Sequence, residues 1–260
     1  MKKLIILIFS LIIFTLSGCI QSLQYNEQNS TENPPIVQPV LPDIDEEDEQ
    51  KKNTYILSKA SGIRIRSGAG SNYSVIGQIE KNDMLVFKGK EGNYYITTYK
   101  ERTGYIHADY CKLVEFKTGD EKVENAISFG INLLGYPYVW GSQRYHWGNG
   151  ILNKNFVNGE FDCSAFVQYI YYKTNGVLLD VTSRAQSQEG EYVQRKDLKR
   201  GDLMFFTNAS RKNKTGVEKV GHVGIYFGDN YILHTASDYA VLEPISATRW
   251  SYYLHSRRVV

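Results

Sequence analysis

The sequence predicts an α+β domain with helices packed on one antiparallel sheet, preceded by a small all-β barrel. Two shifts of texture carry that prediction. From residue 54 to about residue 116 the chain is a series of short alternating strands separated by Gly, Asn and Asp turns. From residue 121 onward, helical periodicity comes first and strand patterns follow, the order expected of an α+β domain.

Upstream of both lies a leader. "MKKLIILIFSLIIFTLSGC" has two lysines, an apolar run from Leu4 to Leu16, and small residues before Cys19. The apolar run is short for a membrane span and is placed as in an export signal. Leu16-Ser17-Gly18-Cys19 resembles a bacterial lipobox, which implies a lipid on Cys19, cleavage before it, and a mature chain held outside the cytoplasm at the cell membrane. Residues 1–19 are therefore read as a lipoprotein signal peptide. The competing reading is an uncleaved anchor helix, which leaves the bulk of the chain on the same side.

Residues 20–53 show no hydrophobic periodicity and contain Pro34, Pro35, Pro39 and Pro42, then an acidic run from Asp43 to Glu49. They are expected to form a disordered tether, about 30 Å end to end as a flexible coil. The whole sequence holds 30 basic and 28 acidic residues, and loss of Lys2 and Lys3 with the leader leaves 28 against 28. A near-neutral chain has no electrostatic footprint for nucleic acid.

In residues 54–116, "GIRIRS", "SVIGQI", "MLVFKG", "NYYITTY" and "TGYIHADYCKLV" alternate apolar and polar positions. "IRIRSGAGSNYSVIGQI" and "GYIHADYCKLV" resemble the two ends of the bacterial SH3-type domains of cell-wall proteins. Gly68-Ala69-Gly70 is a turn, since no βαβ unit surrounds it to make a nucleotide loop.

In residues 121–260, "VENAISFGINLLG" puts Val123, Ile127, Ile131 and Leu134 on one helical face, with Gly135 as a stop. Asp162 is a favoured N-cap, and the helix it opens runs through "CSAFVQYIYYKTNG", with Phe166, Val167 and Ile170 on its buried face. "GDLMFF", "KVGHVGIYFG", "NYILHTAS" and "YLHSRRVV" supply strands.

With Cys19 set aside, Cys111 and Cys163 remain. In an exported chain they could form a disulfide. Cys111 falls in a strand of the first module and Cys163 at a helix start in the second, which does not favour the pairing. In the first helical turn, free N–H groups and the helix dipole favour the thiolate, so Cys163 is expected to have a lowered pKa and to be reactive.

A nucleophile needs a base. Val223, Ile225 and Phe227 alternate with His222, Gly224 and Tyr226. A three-residue loop at Gly228-Asp229-Asn230 would pair Phe227 with Tyr231, placing His222 and His234 on one face of adjacent strands, one diagonal step apart. A two-residue loop would put them on opposite faces. In the first case one imidazole takes the thiol proton and the other orients it. His107, His146 and His255 have no patterned partner and are read as ordinary surface or core residues.

"YPYVWG", "FDCSAFV", "LKRGDLMFF", "GHVGIYFG" and "ILHTAS", in this order over roughly 140 residues, resemble the NlpC-type cell-wall endopeptidases. The resemblance implies a papain-like fold, with Cys163 as nucleophile, His222 as general base and His234 as the residue orienting it. It further implies that Tyr138 helps the oxyanion or substrate, and that Asp162 and Ser164 contact the peptide. The Cys163 N–H is the natural first oxyanion donor. The implied substrate is a peptidoglycan stem peptide, cut after γ-linked D-glutamate and before the diamino acid. A monomer without a cofactor is expected.

The chain departs from the family pattern at Ala165, Ser142 and Asp180-Val181, where the family carries Gly, Gly and Pro-Arg. It also carries a long segment between Trp140 and Asp162. The stretch "NASRKNKTGVEK" is expected to be a solvated basic loop. Three other readings stay open: a wall-binding lipoprotein with a degenerate peptidase domain, a zinc-dependent hydrolase using Cys163, His222 and His234 as ligands, and acyl transfer on the same thiol chemistry.

Overall fold

A computed structural model describes residues 51–236 and 238–260. The lipobox with Cys19 and nearly all of the expected tether lie outside the described residues. Lys52 and Asn53, the tether's last expected residues, instead pair with Lys117 and Phe116 as the start of strand β1.

The first module is all-β. Strands β1 (Lys52–Ser58), β2 (Ile63–Arg66), β3 (Val75–Ile79), β4 (Met84–Val86), β5 (Gly89–Glu91), β6 (Tyr94–Tyr99), β7 (Arg102–His107) and β8 (Cys111–Lys117) form two antiparallel sheets, ordered β4-β1-β8 and β3-β2-β7-β6-β5. Alternation puts Ile56, Ile65, Ile79, Leu85 and Ile106 inside.

The second module opens with helix α1 (Glu121–Asn132), capped by Asp120, whose side chain accepts from the Lys122 N–H. Val123, Ala126, Ile127, Gly130 and Ile131 are its buried stripe. Helix α2 (Cys163–Asn175) starts at Asp162, whose carboxylate accepts from the Ala165 N–H, and stops at Gly176 in the left-handed region. A Cβ on Gly130 would stand 2.8 Å from Ile170 and Leu233, so glycine lets α1 close on α2 and the sheet. The short helix α3 (Ser183–Gln186) follows.

Strands β9 (Glu191–Val193), β10 (Leu203–Phe206), β11 (His222–Gly228), β12 (Tyr231–Thr235), β13 (Ala240–Pro244) and β14 (Tyr253–Arg258) make one antiparallel sheet, ordered β13-β12-β11-β10-β14-β9, with helix α4 (Ala247–Ser251) between the last two in sequence. One face, with Val223, Ile225, Phe227 and Leu233, joins Phe166, Val167 and Ile170 in the main core. The opposite face holds a smaller core of Met204, Phe206, Ile232 and Ile245 with Trp250 and Tyr252 against it. Strands β9 and β13 add to the sheet beyond the four expected.

The two modules belong to one unit and share contacts. Arg200 bonds both carboxylate oxygens of Glu124 at 2.6 and 3.0 Å and the Tyr55 hydroxyl of the barrel at 3.1 Å. The turn between β6 and β7 docks through the N–H groups of Lys100 and Glu101 on the carbonyls of Leu134 and Asn132. Gly135, at φ +89°, packs under the Tyr99 ring, where any Cβ would collide. Cys111 and Cys163 are both free thiols, so they do not pair with each other.

Candidate active site

The histidine pair is built by the β11–β12 hairpin. Gly228 pairs with Tyr231, so the loop has two residues, Asp229 and Asn230, both at positive φ. Such a loop alone would separate the two histidines onto opposite faces. A register shift between Tyr226 and Gly228 leaves Phe227 as an extra residue, and Ile225 pairs with Leu233. The bulge restores the parity, so Gly224 lies opposite His234 and His222 is one diagonal step away. The loop is thus the two-residue alternative, and the bulge gives the imidazoles the outcome that the sequence reading attached to a three-residue loop. A Cβ on Gly224 would come within 2.8 Å of the His234 Cβ, so glycine leaves room for the rings to meet.

The rings do meet. Nε2 of His222 is 2.8 Å from Nδ1 of His234, and Nε2 of His234 is 3.0 Å from Oε1 of Glu243. Glu243 stands on β13 opposite Ile232, the position that shares a face with His234. A carboxylate only accepts, so Nε2 of His234 carries a proton and Nδ1 is bare. That bare nitrogen accepts from Nε2 of His222, which leaves Nδ1 of His222 with its lone pair free. Arg249 Nη2, 3.4 Å from the same Glu243 oxygen, closes the chain. Burial pushes the Glu243 carboxyl up, but His234 and Arg249 outweigh it and hold it below the usual range. Burial, then His234 and Arg249, keep His222 well below the usual imidazole range, so it rests neutral. Burial also lowers His234.

Cys163 lies at the start of α2 and is buried, with the backbone N–H groups of Val223 and Ser164 near its sulfur. Here the sequence expectation is corrected. Burial, followed by the Asp162 charge, pushes the thiol up to about 11, and the backbone N–H groups and Arg144 pull it down by less. The helix start does not ionise the sulfur; desolvation wins. Thiol and imidazole are both neutral at rest.

The two groups line adjoining lobes of one cleft. One lobe, of about 490 Å³, is lined by His222, Arg249 and Tyr252 among others; the other, of about 410 Å³, holds Cys163, Asp162 and Ser164. Tyr138, Asn208 and Gly221 border both. Tyr138 is held there by pairing with Phe161 and by its N–H on the Asp238 carbonyl. Burial, then Cys163 and Asp162, raise its phenol, so it stays a hydrogen-bond donor beside the sulfur. All six residues expected from the sequence therefore border or support this cleft.

Several residues at the cleft were not expected from the sequence. The long segment after Trp140 delivers Arg144, whose guanidinium bonds Asp162 Oδ2 at 2.8 Å, Ser164 Oγ at 3.1 Å and the carbonyls of Ser142 and Val181. Ser142, where the family has glycine, accepts from the Asp162 N–H at 2.7 Å. The basic loop is solvent-exposed over most of its length, as expected, but it is more than a surface loop: Asn208, Ser210 and Arg211 line the lobe around Cys163. Glu243 is likewise new. The remaining histidines keep structural places. His146 is buried against Tyr172, with Nδ1 accepting from the Gly148 N–H; His255 stacks on Phe205; His107 sits on the barrel against Tyr94.

Among the described residues, no group of three or more His, Cys, Asp or Glu is arranged to hold a metal ion. The zinc reading also meets a chemical obstacle, because Nε2 of His222 and both nitrogens of His234 are engaged in the hydrogen-bond chain.

A cysteine at a helix start, set against paired histidines on an antiparallel sheet, defines a papain-like α+β domain. A model of the NlpC/P60 family matches residues 135–259, and one of the bacterial SH3 domain matches residues 61–112. The Bacillus subtilis gamma-D-glutamyl-L-lysine dipeptidyl-peptidase is 31% identical over 206 residues, 77% of this chain and 60% of its own length. A Haemophilus influenzae protein named "Probable endopeptidase NlpC homolog" is 31% identical over 184 residues, 70% of this chain and 84% of its own. The chain belongs to the NlpC/P60 family. It spans 60% or less of the length of the Bacillus relatives it matches. A solved NlpC/P60 family structure from Bacillus cereus is 20% identical, with a TM-score of 0.41, covering 80% of this chain and 63% of that one.

Proposed function

We propose that the chain is an exported cysteine peptidase that hydrolyses peptidoglycan stem peptides between γ-linked D-glutamate and the following diamino acid. The observation that carries this reading is the chain from Glu243 through His234 to His222, which leaves a bare Nδ1 in the cleft that holds Cys163. The relatives named for cleaving γ-D-glutamyl-L-lysine and for endopeptidase activity support the bond class.

Chemically, Nδ1 of His222 takes the Cys163 proton as Sγ attacks the γ-carbonyl carbon. The Cys163 N–H and the Tyr138 hydroxyl meet the developing oxyanion. The imidazolium then gives its proton to the amine nitrogen as the C–N bond breaks, leaving a thioester. Water attacks that thioester, His222 takes the water's proton, and the thiol is re-formed. His234, held by Glu243, fixes the tautomer throughout.

Incubating the full chain with a defined muropeptide and weighing the products tests this. Cleavage after the γ-D-glutamyl residue by wild type and none by Cys163→Ala is expected. Uncut peptide with wild type would favour a wall-binding protein without catalysis; equal cutting by both would remove Cys163 from the chemistry. Anchoring through a lipid on Cys19 rests on the leader's resemblance, and palmitate labelling of wild type but not of Cys19→Ala checks it.

A further inference from the structure

The lobe around Cys163 is cationic, and its one acidic lining residue is already saturated. Asp162 Oδ1 accepts from the Ala165 N–H at 2.8 Å and the Ser164 hydroxyl at 3.1 Å. Its Oδ2 accepts from Arg144 at 2.8 Å and the Gly141 N–H at 3.2 Å. Four donors fill the roughly four lone-pair positions of a carboxylate. A substrate ammonium entering this lobe therefore finds no free carboxylate oxygen and does find the Arg144 guanidinium.

Two more arginines, Arg184 and Arg211, line the same lobe. They share a single carboxylate: Glu218 lies 3.5 Å from Arg184 Nε and 3.0 Å from Arg211 Nη1, with 61% of its side chain exposed. Arg144 is balanced by Asp162, but two guanidinium groups against one exposed carboxylate leave the lobe with a net positive charge. Each guanidinium is a planar fork suited to a carboxylate.

Which end of the substrate enters this lobe follows from the proton path. His222, in the neighbouring lobe, hands its proton to the leaving amine, so the amine fragment lies on the His222 side. The acyl fragment stays on Sγ of Cys163, in the arginine lobe. In a γ-glutamyl substrate that fragment carries the glutamate α-carboxylate.

We propose that Arg184 and Arg211 form a carboxylate site in the acyl lobe, selecting stem peptides whose γ-linked D-glutamate keeps its α-carboxylate free rather than amidated. This rests on the peptidase reading above. The test measures kcat/KM of the full chain on two muropeptides that differ only in carboxylate or carboxamide at that position. The free carboxylate is expected to be preferred about tenfold, a preference that shrinks as salt is raised. Arg184→Gln combined with Arg211→Gln should bring the ratio to within about twofold, while Glu218→Gln, which unmasks charge, should widen it. Equal turnover of the two peptides, preference for the carboxamide, or a preference that survives the double substitution would overturn the site. If both peptides are cut equally, only this inference fails; if neither is cut, the peptidase reading fails first.

Discussion

His222 and His234 touch nitrogen to nitrogen at 2.8 Å because a bulge at Phe227 corrects the parity of a two-residue hairpin. The contact sets the protonation of both rings only because Glu243 holds the far nitrogen of His234. The resting site is a neutral thiol in one lobe of the cleft and, in the adjoining lobe, a neutral imidazole whose tautomer is set by three side chains in series.

Glu243 should thus behave as a positioning residue. Glu243→Gln keeps the size but removes the obligatory acceptor, and kcat should fall about 10- to 100-fold with KM little changed. Steady-state kinetics on a stem peptide check this, with thermal melting to confirm folding. A kcat within twofold of wild type would show that the tautomer is set elsewhere.

The protonation state of Cys163 has its own signature. With the thiol up to about 11, its alkylation by iodoacetamide should climb about tenfold per pH unit from pH 7 to 9. Peptide-level mass spectrometry separates Cys163 from Cys111. A rate that is already flat at neutral pH would mean that the helix start ionises the sulfur after all. Since His222 is lowered, it stays a neutral base as pH falls, and the acid limb of kcat/KM should lie below the ordinary imidazole midpoint of about 6.5.

Arg144 and Asp162 form a salt bridge with side chains only 14% and 9% exposed. Arg144→Ala leaves a buried carboxylate unpaired and should cost about 3 kcal/mol of stability. The double variant with Asp162→Asn should cost less than the sum of the two, as a thermal or denaturant double-mutant cycle would show. Additive costs would mean that the two groups act independently.

Asp83 supplies a pH-dependent stability term. It is buried in the barrel where Ser58 N–H bonds its carbonyl, and burial pushes its carboxyl up to about 7, despite the Glu80 N–H and with Glu243 and Glu80 adding to the rise. A raised folded pKa means that the folded state holds the proton more tightly, so stability is lost as pH rises from about 4 to about 7. Asp83→Asn should remove that loss, raising the melting temperature at pH 8 by on the order of 5 °C and leaving it nearly unchanged at pH 4. An equal shift at both pH values would contradict the sign.

Much of this was legible in the sequence, and the gaps have physical causes. Period-two alternation placed His222, and the N-cap at Asp162 placed Cys163, because both signals are local. The bulge at Phe227 was invisible, since an extra residue in a strand leaves the apolar pattern almost intact. Glu243 was missed because β13 carries no strong alternation and its register against β12 is set by tertiary packing. Arg144 and Arg211 sit in irregular segments, where no periodicity tells which side chain turns inward. The raised pKa of Cys163 is hidden for a related reason: the helix start is written in the sequence, but the depth of burial that outweighs it is not.

The most direct measurement is a rapid-quench experiment with the full chain and a γ-D-glutamyl muropeptide, followed by mass spectrometry of the digested protein. A transient thioester on the peptide carrying Cys163, absent in Cys163→Ala and depleted in His222→Ala, is the expected result. An acyl group on another residue, or product released at the wild-type rate by Cys163→Ala, would contradict the assignment of the nucleophile.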